Sequence, residues 1–131
     1  MNAPATYTIK VESRFEAAHN LRSYYGKPEP IHGHSWRVEA RIESGALDSE
    51  DISVDFVNVE KALHELSGRF DHNYINNIPP FDKVNPTSEN IAKWFYDGLN
   101  QRELIGAGAR LAEVTLWEGP FNTLTYKPGR S

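Results

Sequence analysis

Three histidines carry the most chemistry in this chain. His32 and His34 flank Gly33, and His19 lies thirteen positions before His32. Histidines at i and i+2 of an extended strand project from one face. A third ring from a neighbouring strand would bring three imidazole nitrogens together. Three protein nitrogens and an open fourth position describe a catalytic zinc site, whereas a structural zinc site is usually closed, often by thiolate. The chain has no cysteine. The register agrees with convergence. Trp36, Val38, Ala40 and Ile42 alternate with Arg37, Glu39, Arg41 and Glu43, the pattern of a half-buried strand, and His32 and His34 share the apolar parity. Tyr7, Ile9, Val11, Phe15 and Ala17 set the inward parity of an earlier strand, and His19 keeps it. Spacing alone leaves two readings open, a metal site and a set of hydrogen-bonded core histidines, because a His-x-His strand pair is a common ligand geometry but not a unique one.

Other residues add weaker signals. Glu118 sits on the apolar parity of a late strand, where a carboxylate is costly unless paired. The pattern by itself favours a strand end curling into solvent. The functional reading is a clamp for a donor–donor edge, such as that of a pterin or guanine. Asp71 and His72 are adjacent, and a carboxylate beside an imidazole can set its tautomer and basicity, although such pairs are frequent in loops. Glu29 lies three residues before His32 and is tethered near the proposed Lewis acid. His64, mid-helix beside Leu63, reads as a surface residue.

Positioning these side chains requires two strands, two helices and two further strands. The first strand runs from about Thr6 to Ala18 and the second from His32 to Glu43, with a loop at Ser23 to Pro30 between them. A first helix starts at Asp55 as N-cap and presents Val59, Leu63, Leu66 and Phe70 as an apolar stripe. An irregular connection follows from Asn73 to Asn85. Asn85 then offers an N-cap with Pro86 at the first helical position, and the second helix runs to about Leu104 with Ile91, Trp94, Phe95 and Gly98 inward. Strands at Arg110 to Glu118 and Thr123 to Tyr126 complete an α+β domain spanning residues 1–131. Two helices cover one sheet face only. A closed oligomer joining the strands into a barrel would bury the other face and the open edges.

Composition narrows the function classes. One domain fits 131 residues. A net charge of −4 without a long basic run argues against nucleic acid as a partner. No apolar stretch reaches the ~20 residues of a membrane span, so no membrane partner is expected. The opening Met1-Asn2-Ala3-Pro4-Ala5 has no basic region leading into an apolar core, and a cytoplasmic location is expected. With no cysteine there is no disulfide and no thiolate nucleophile.

Taken together, Phe15-Glu16-Ala17-Ala18-His19, His32-Gly33-His34, Val54-Asp55-Phe56, Asp71-His72-Asn73-Tyr74, Asn85-Pro86-Thr87-Ser88-Glu89 and Glu118 resemble the 6-pyruvoyl-tetrahydropterin synthase family. That family includes the bacterial 6-carboxytetrahydropterin synthases of the queuosine pathway. The resemblance extends from about Tyr7 to Tyr126. It implies a tunnelling fold whose trimers close a twelve-stranded barrel and pair into a hexamer, with active sites between subunits. It also implies zinc on His19, His32 and His34, a proton-transfer pair in Asp71 and His72, a pterin anchor in Glu118, and Thr87 and Ser88 near the pterin. Family members that make the pyruvoyl or carboxy product carry a catalytic cysteine shortly before His-Gly-His. In the bacterial carboxy enzymes it lies four positions before the first histidine, where this chain has Pro28, with Glu29 next. This resembles the branch in which glutamate replaces the cysteine and 7,8-dihydroneopterin triphosphate is cleaved to 6-hydroxymethyl-7,8-dihydropterin, a folate precursor. Glu29 is then the expected base in a zinc-dependent lyase acting on a small pterin. Its rivals are the carboxy-forming reaction run without cysteine and a pterin- or zinc-binding module with altered catalysis.

Overall fold

Strict alternation builds the first two strands. In the computed structural model, which describes residues 5–129, β1 (Tyr7–His19) and β2 (His32–Ser44) pair antiparallel without a break, Tyr7 opposite Ser44 and His19 opposite His32. Met1 to Pro4, most of the segment read above for a targeting signal, lie outside the described residues. The unbroken register keeps Ile9, Val11, Phe15, Ala17 and His19 on the buried face of β1. The strand after the second helix, β4 (Ala109–Glu118), pairs antiparallel with β2, and β5 (Asn122–Tyr126) returns beside β4. A bulge at Arg41/Ile42 shifts the β2–β4 register and lets both Leu111 and Ala112 be buried.

The sheet has five strands, one more than the sequence pattern implies. Asn73 and Tyr74 form a two-residue strand, β3, parallel to β1 at Ala17 and Ala18, so the order is β3-β1-β2-β4-β5. Two residues are too few to show a period, which is why the segment reads as irregular. A 3-10 turn at Ile75–Asn77 follows.

Two helices pack on one face, α1 (Phe56–Phe70) against β1 and α2 (Ser88–Leu99) against β4 and β5. As expected, Asp55 caps α1, its Oδ1 accepting the Val57 N–H at 2.9 Å, and Val59, Leu63, Leu66 and Phe70 are buried. The start of α2 differs from expectation. Thr87 is its N-cap, accepting the Asn90 N–H at 3.1 Å, so Pro86 lies outside the helix. Asn85 is drawn away because its Oδ1 accepts the Arg22 N–H at 2.8 Å. The end of α2 also differs. The helix stops at Leu99, and Arg102–Ile105 forms a separate turn, α3, closed by Gly106 at φ +93°. Leu99 and Ile105 are both buried. A continuous helix turns about 100° per residue and would carry Ile105 roughly 240° away from the face of Leu99, so the break at Asn100 and Gln101 is needed to bury both.

Aromatic rings fill the space between the layers. Phe15 stacks on Trp36 with centroids 5.7 Å apart, and Phe70 and Phe95 approach Phe15 at the same distance. Gly98 lets the helices touch, since a Cβ there would lie 3.0 Å from Leu66 Cδ1. The opposite sheet face has no helix over it. Its arginines and glutamates pair across strands, Arg41 with Glu113 and Arg110 with Glu43, both at 2.7 Å, and along β2, Arg41 with Glu43 at 2.9 Å. Among the described residues, no helix is long and apolar enough to cross a membrane.

Candidate metal centre and active site

The ends of β1, β2 and β4 meet at one corner of the sheet. His19 closes β1 and is buried, its ring edge-on to Trp36 at 4.9 Å. Its Nδ1 lies 2.9 Å from the Pro86 carbonyl oxygen. A carbonyl only accepts, so Nδ1 carries the hydrogen and the neutral ring has its lone pair at Nε2. His32 repeats the arrangement, with Nδ1 3.1 Å from the Pro30 carbonyl oxygen. Metal-binding histidines are commonly oriented through the second nitrogen in this manner. His34 completes the set, and its Nε2 is buried without a hydrogen-bond partner.

Glu118, the last residue of β4, enters the middle of this group. Its Oε1 is 3.1 Å from His19 Nε2, 3.1 Å from His34 Nε2 and 3.7 Å from His32 Nε2. The expectation of a strand end curling into solvent is therefore overturned. β4 runs antiparallel to β2, and the register sets Glu118 opposite Trp36, close to the histidine pair. The other carboxylate oxygen accepts the Ser88 hydroxyl at 2.7 Å. One ligand atom from each of His19, His32, His34 and Glu118 lies within 4.8 Å of the others.

Lone pairs on neutral imidazoles facing a carboxylate repel unless a proton or a cation lies between them. The hydrogen bond with His19 pulls the Glu118 carboxyl down to about 2, against the opposing cost of burial, with the Ser88 hydroxyl adding to the effect. Burial is the main influence on His34 and lowers its pKa, with Glu118 opposing and the other two histidines reinforcing. A ring held neutral is a competent ligand. The buried His34 Nε2, 3.1 Å from Glu118 Oε1 but without a hydrogen bond, and two lone pairs aimed at a common point fit a divalent cation. Three imidazoles with one carboxylate and no thiolate form a donor set that zinc accepts.

Glu29 lies at the rim. Its N–H donates to the Leu21 carbonyl at 3.0 Å, and its Oε1 accepts the Leu21 N–H at 2.9 Å. The same oxygen is 3.8 Å from His32 Nδ1, the nitrogen turned away from the cluster. Asp71 and His72 are fastened to β1 through Glu16. Asp71 Oδ1 accepts the Glu16 N–H at 2.8 Å, and His72 donates its own N–H to the Glu16 carbonyl. His72, in the left-handed region at φ +58°, is exposed with Nδ1 3.1 Å from Asp71 Oδ2. His72 lines a 510 Å³ pocket together with Glu16, Gly33, His34 and Ser35 among others. No hydrogen bond or ion pair among the described residues joins them to Glu29 or the histidine cluster. Of the residues read as near a pterin, Ser88 reaches Glu118 and Thr87 serves as a helix cap.

Two contributors carry no sequence signal. The Pro86 carbonyl orients His19, and Arg22 holds that segment in place. The guanidinium of Arg22 donates to the carbonyls of Val84 at 3.1 Å, Asn76 at 3.0 Å and Phe81, while its N–H binds Asn85. Backbone carbonyls are identical at every residue, so no motif could have pointed to them.

Comparison with known proteins agrees with this arrangement. The model of the family described as 6-pyruvoyl tetrahydropterin synthase matches residues 8–129. A 6-carboxy-5,6,7,8-tetrahydropterin synthase of Aquifex aeolicus is 28% identical, over 92% of this chain and 98% of its own. The fold resembles that of Caenorhabditis elegans 6-pyruvoyl tetrahydropterin synthase, with a TM-score of 0.80 at 21% identity over 98% of this chain and 100% of the other. It also resembles a Plasmodium vivax 6-pyruvoyltetrahydropterin synthase in which a catalytic glutamate is replaced by alanine, with a TM-score of 0.72 at 18% identity over 96% and 99% of the two chains.

Proposed function

The chain belongs to the 6-pyruvoyl tetrahydropterin synthase family, and from that premise we propose that it is a zinc-dependent lyase that cleaves the side chain of 7,8-dihydroneopterin triphosphate to give 6-hydroxymethyl-7,8-dihydropterin. The observation that carries this reading is Glu29. No cysteine is available to be the base, and a carboxylate is fixed within 3.8 Å of a histidine of the cluster. A glutamate is the catalytic residue named for the Plasmodium vivax protein of the same fold.

His19, His32 and His34 would hold the zinc ion, which supplies Lewis acidity toward the side-chain hydroxyls of the substrate. Glu29 takes a hydroxyl proton. Its tether to Leu21 limits its movement and keeps the carboxylate beside the cluster. Glu118 accepts from the amino group and ring N–H of the pterin, its second oxygen steadied by Ser88. Asp71 and His72 move the second proton. They are fastened to Glu16, and His72 lines the same pocket as His34.

A second reading has specific support. The Aquifex aeolicus relative is a 6-carboxy-5,6,7,8-tetrahydropterin synthase, which makes the carboxy product the alternative outcome. Incubation with 7,8-dihydroneopterin triphosphate and identification of the pterin product by mass separates the two. The 6-hydroxymethyl product supports the lyase reading, the 6-carboxy product supports the alternative, and no turnover with intact pterin affinity indicates a binding module.

A further inference from the structure

On the open face of the sheet, positive charge is poorly matched beside one pocket. Arg14 on β1 and Arg37 on β2 are directly opposite each other. Like charges across a rung repel. Elsewhere on this face the arginines are compensated at 2.7 to 2.9 Å by Glu43 and Glu113. Arg14 is exposed and forms no ion pair among the described residues. Arg37 has only Glu12, 3.8 Å from an Nε that is buried and makes no hydrogen bond. Its guanidinium carbon lies 3.7 Å over the Trp117 ring, which holds the planar fork in position. The two arginines line a 440 Å³ pocket together with Ser35, Trp117 and Gly119. The nearby Glu16 is already engaged, accepting the Ser35 hydroxyl at 2.7 Å.

A guanidinium without an ion pair and another held by one long ion pair, beside an open pocket, fit phosphate oxygens, which guanidinium groups bind by paired, charge-assisted hydrogen bonds. We propose that Arg14 and Arg37 bind an oligophosphate anion on the open face of the sheet, an inference that rests on the triphosphate substrate read above. The pocket adjoins the histidine cluster along the chain, since Ser35 follows His34, Gly119 follows Glu118, and the Gly119 N–H donates to the Ser35 carbonyl at 3.2 Å. Arg14 and Arg37 nonetheless project from the face opposite to the histidines. The anion is therefore either the tail of a substrate seated at a neighbouring copy or a phosphorylated fragment after release.

Calorimetric titration of the intact protein with inorganic tripolyphosphate tests this directly. Wild-type protein should bind it, less tightly as salt rises. Arg14→Gln and Arg37→Gln should each weaken binding about tenfold or more, as for loss of one charge-assisted hydrogen bond. Arg14 is exposed, so Arg14→Gln keeps the test decisive if Arg37→Gln fails to fold. Kinetics then separate the sources. If the substrate tail occupies the pocket, Arg14→Gln raises KM for the triphosphate and not for unphosphorylated dihydroneopterin. If a released fragment occupies it, KM is unchanged and inhibition by added tripolyphosphate weakens. No tripolyphosphate binding by the wild type, or equal binding by both variants as for an anion held at the histidine cluster, overturns the proposal. Binding without any turnover would leave this site standing and sink the lyase reading.

Discussion

At the scale of single residues, the proposed function assigns metal holding, proton transfer and recognition to different side chains. Glu29→Gln keeps an oxygen for the Leu21 N–H, so the loop should hold. Zinc content and pterin affinity should stay near wild type while turnover falls roughly 10²-fold or more, the usual loss of a general base. Near-normal turnover would show that the base lies elsewhere. Glu118 has two possible duties, since it sits among the histidines and also carries the proposed pterin contact. His34→Ala should lose bound metal. Glu118→Gln should keep the metal and weaken pterin binding by about 1.5–3 kcal/mol, the typical worth of a hydrogen bond to a charged group. Metal loss in Glu118→Gln, measured by elemental analysis, would instead make it a fourth ligand.

At the scale of elements, the site depends on how helix ends are fastened to β1. Asp71 closes α1 and ties it to the strand through the Glu16 N–H, which is the main reason its carboxyl is held below the ordinary 3.8, His72 adding to the effect. A depressed carboxylate stabilises the fold above its unfolded pKa, and that contribution is lost as pH falls through its folded value. Asp71→Asn keeps an oxygen for Glu16 but removes the charge. The difference in Tm between wild type and Asp71→Asn should be constant near neutrality and shrink as pH drops below about 4. A difference that persists unchanged at pH 2 would show that charge is not what Asp71 contributes. The start of α2 acts on the same corner, because the residue before its Thr87 cap carries the carbonyl that orients His19.

At the scale of the whole molecule, one sheet face is covered and the other is open. Most of the outer edge of β1 and the outer edge of β5 have no neighbouring strand among the described residues. Unpaired edges of this length favour pairing with other copies. We expect a trimer or a hexamer. Light scattering should give a mass three or six times the 14.9 kDa of one chain, and a monomer over a wide concentration range would refute it.

Period-two alternation alone determined that His19, His32 and His34 face the core. Parity is a local property of an extended chain, and a strand without a bulge preserves it over its full length. The apolar stripe of α1 and its Asp55 cap were legible for the same reason, each depending on neighbours a few residues away. Tertiary structure decided the rest. Asn85 looks like a helix cap until Arg22, far off in sequence, takes its side chain. Glu118 looks solvent-bound until the β2–β4 register brings it to the histidines. In each case the deciding partner is distant in the chain, and for Asn85 it is a backbone group, which leaves no trace in the pattern of side chains.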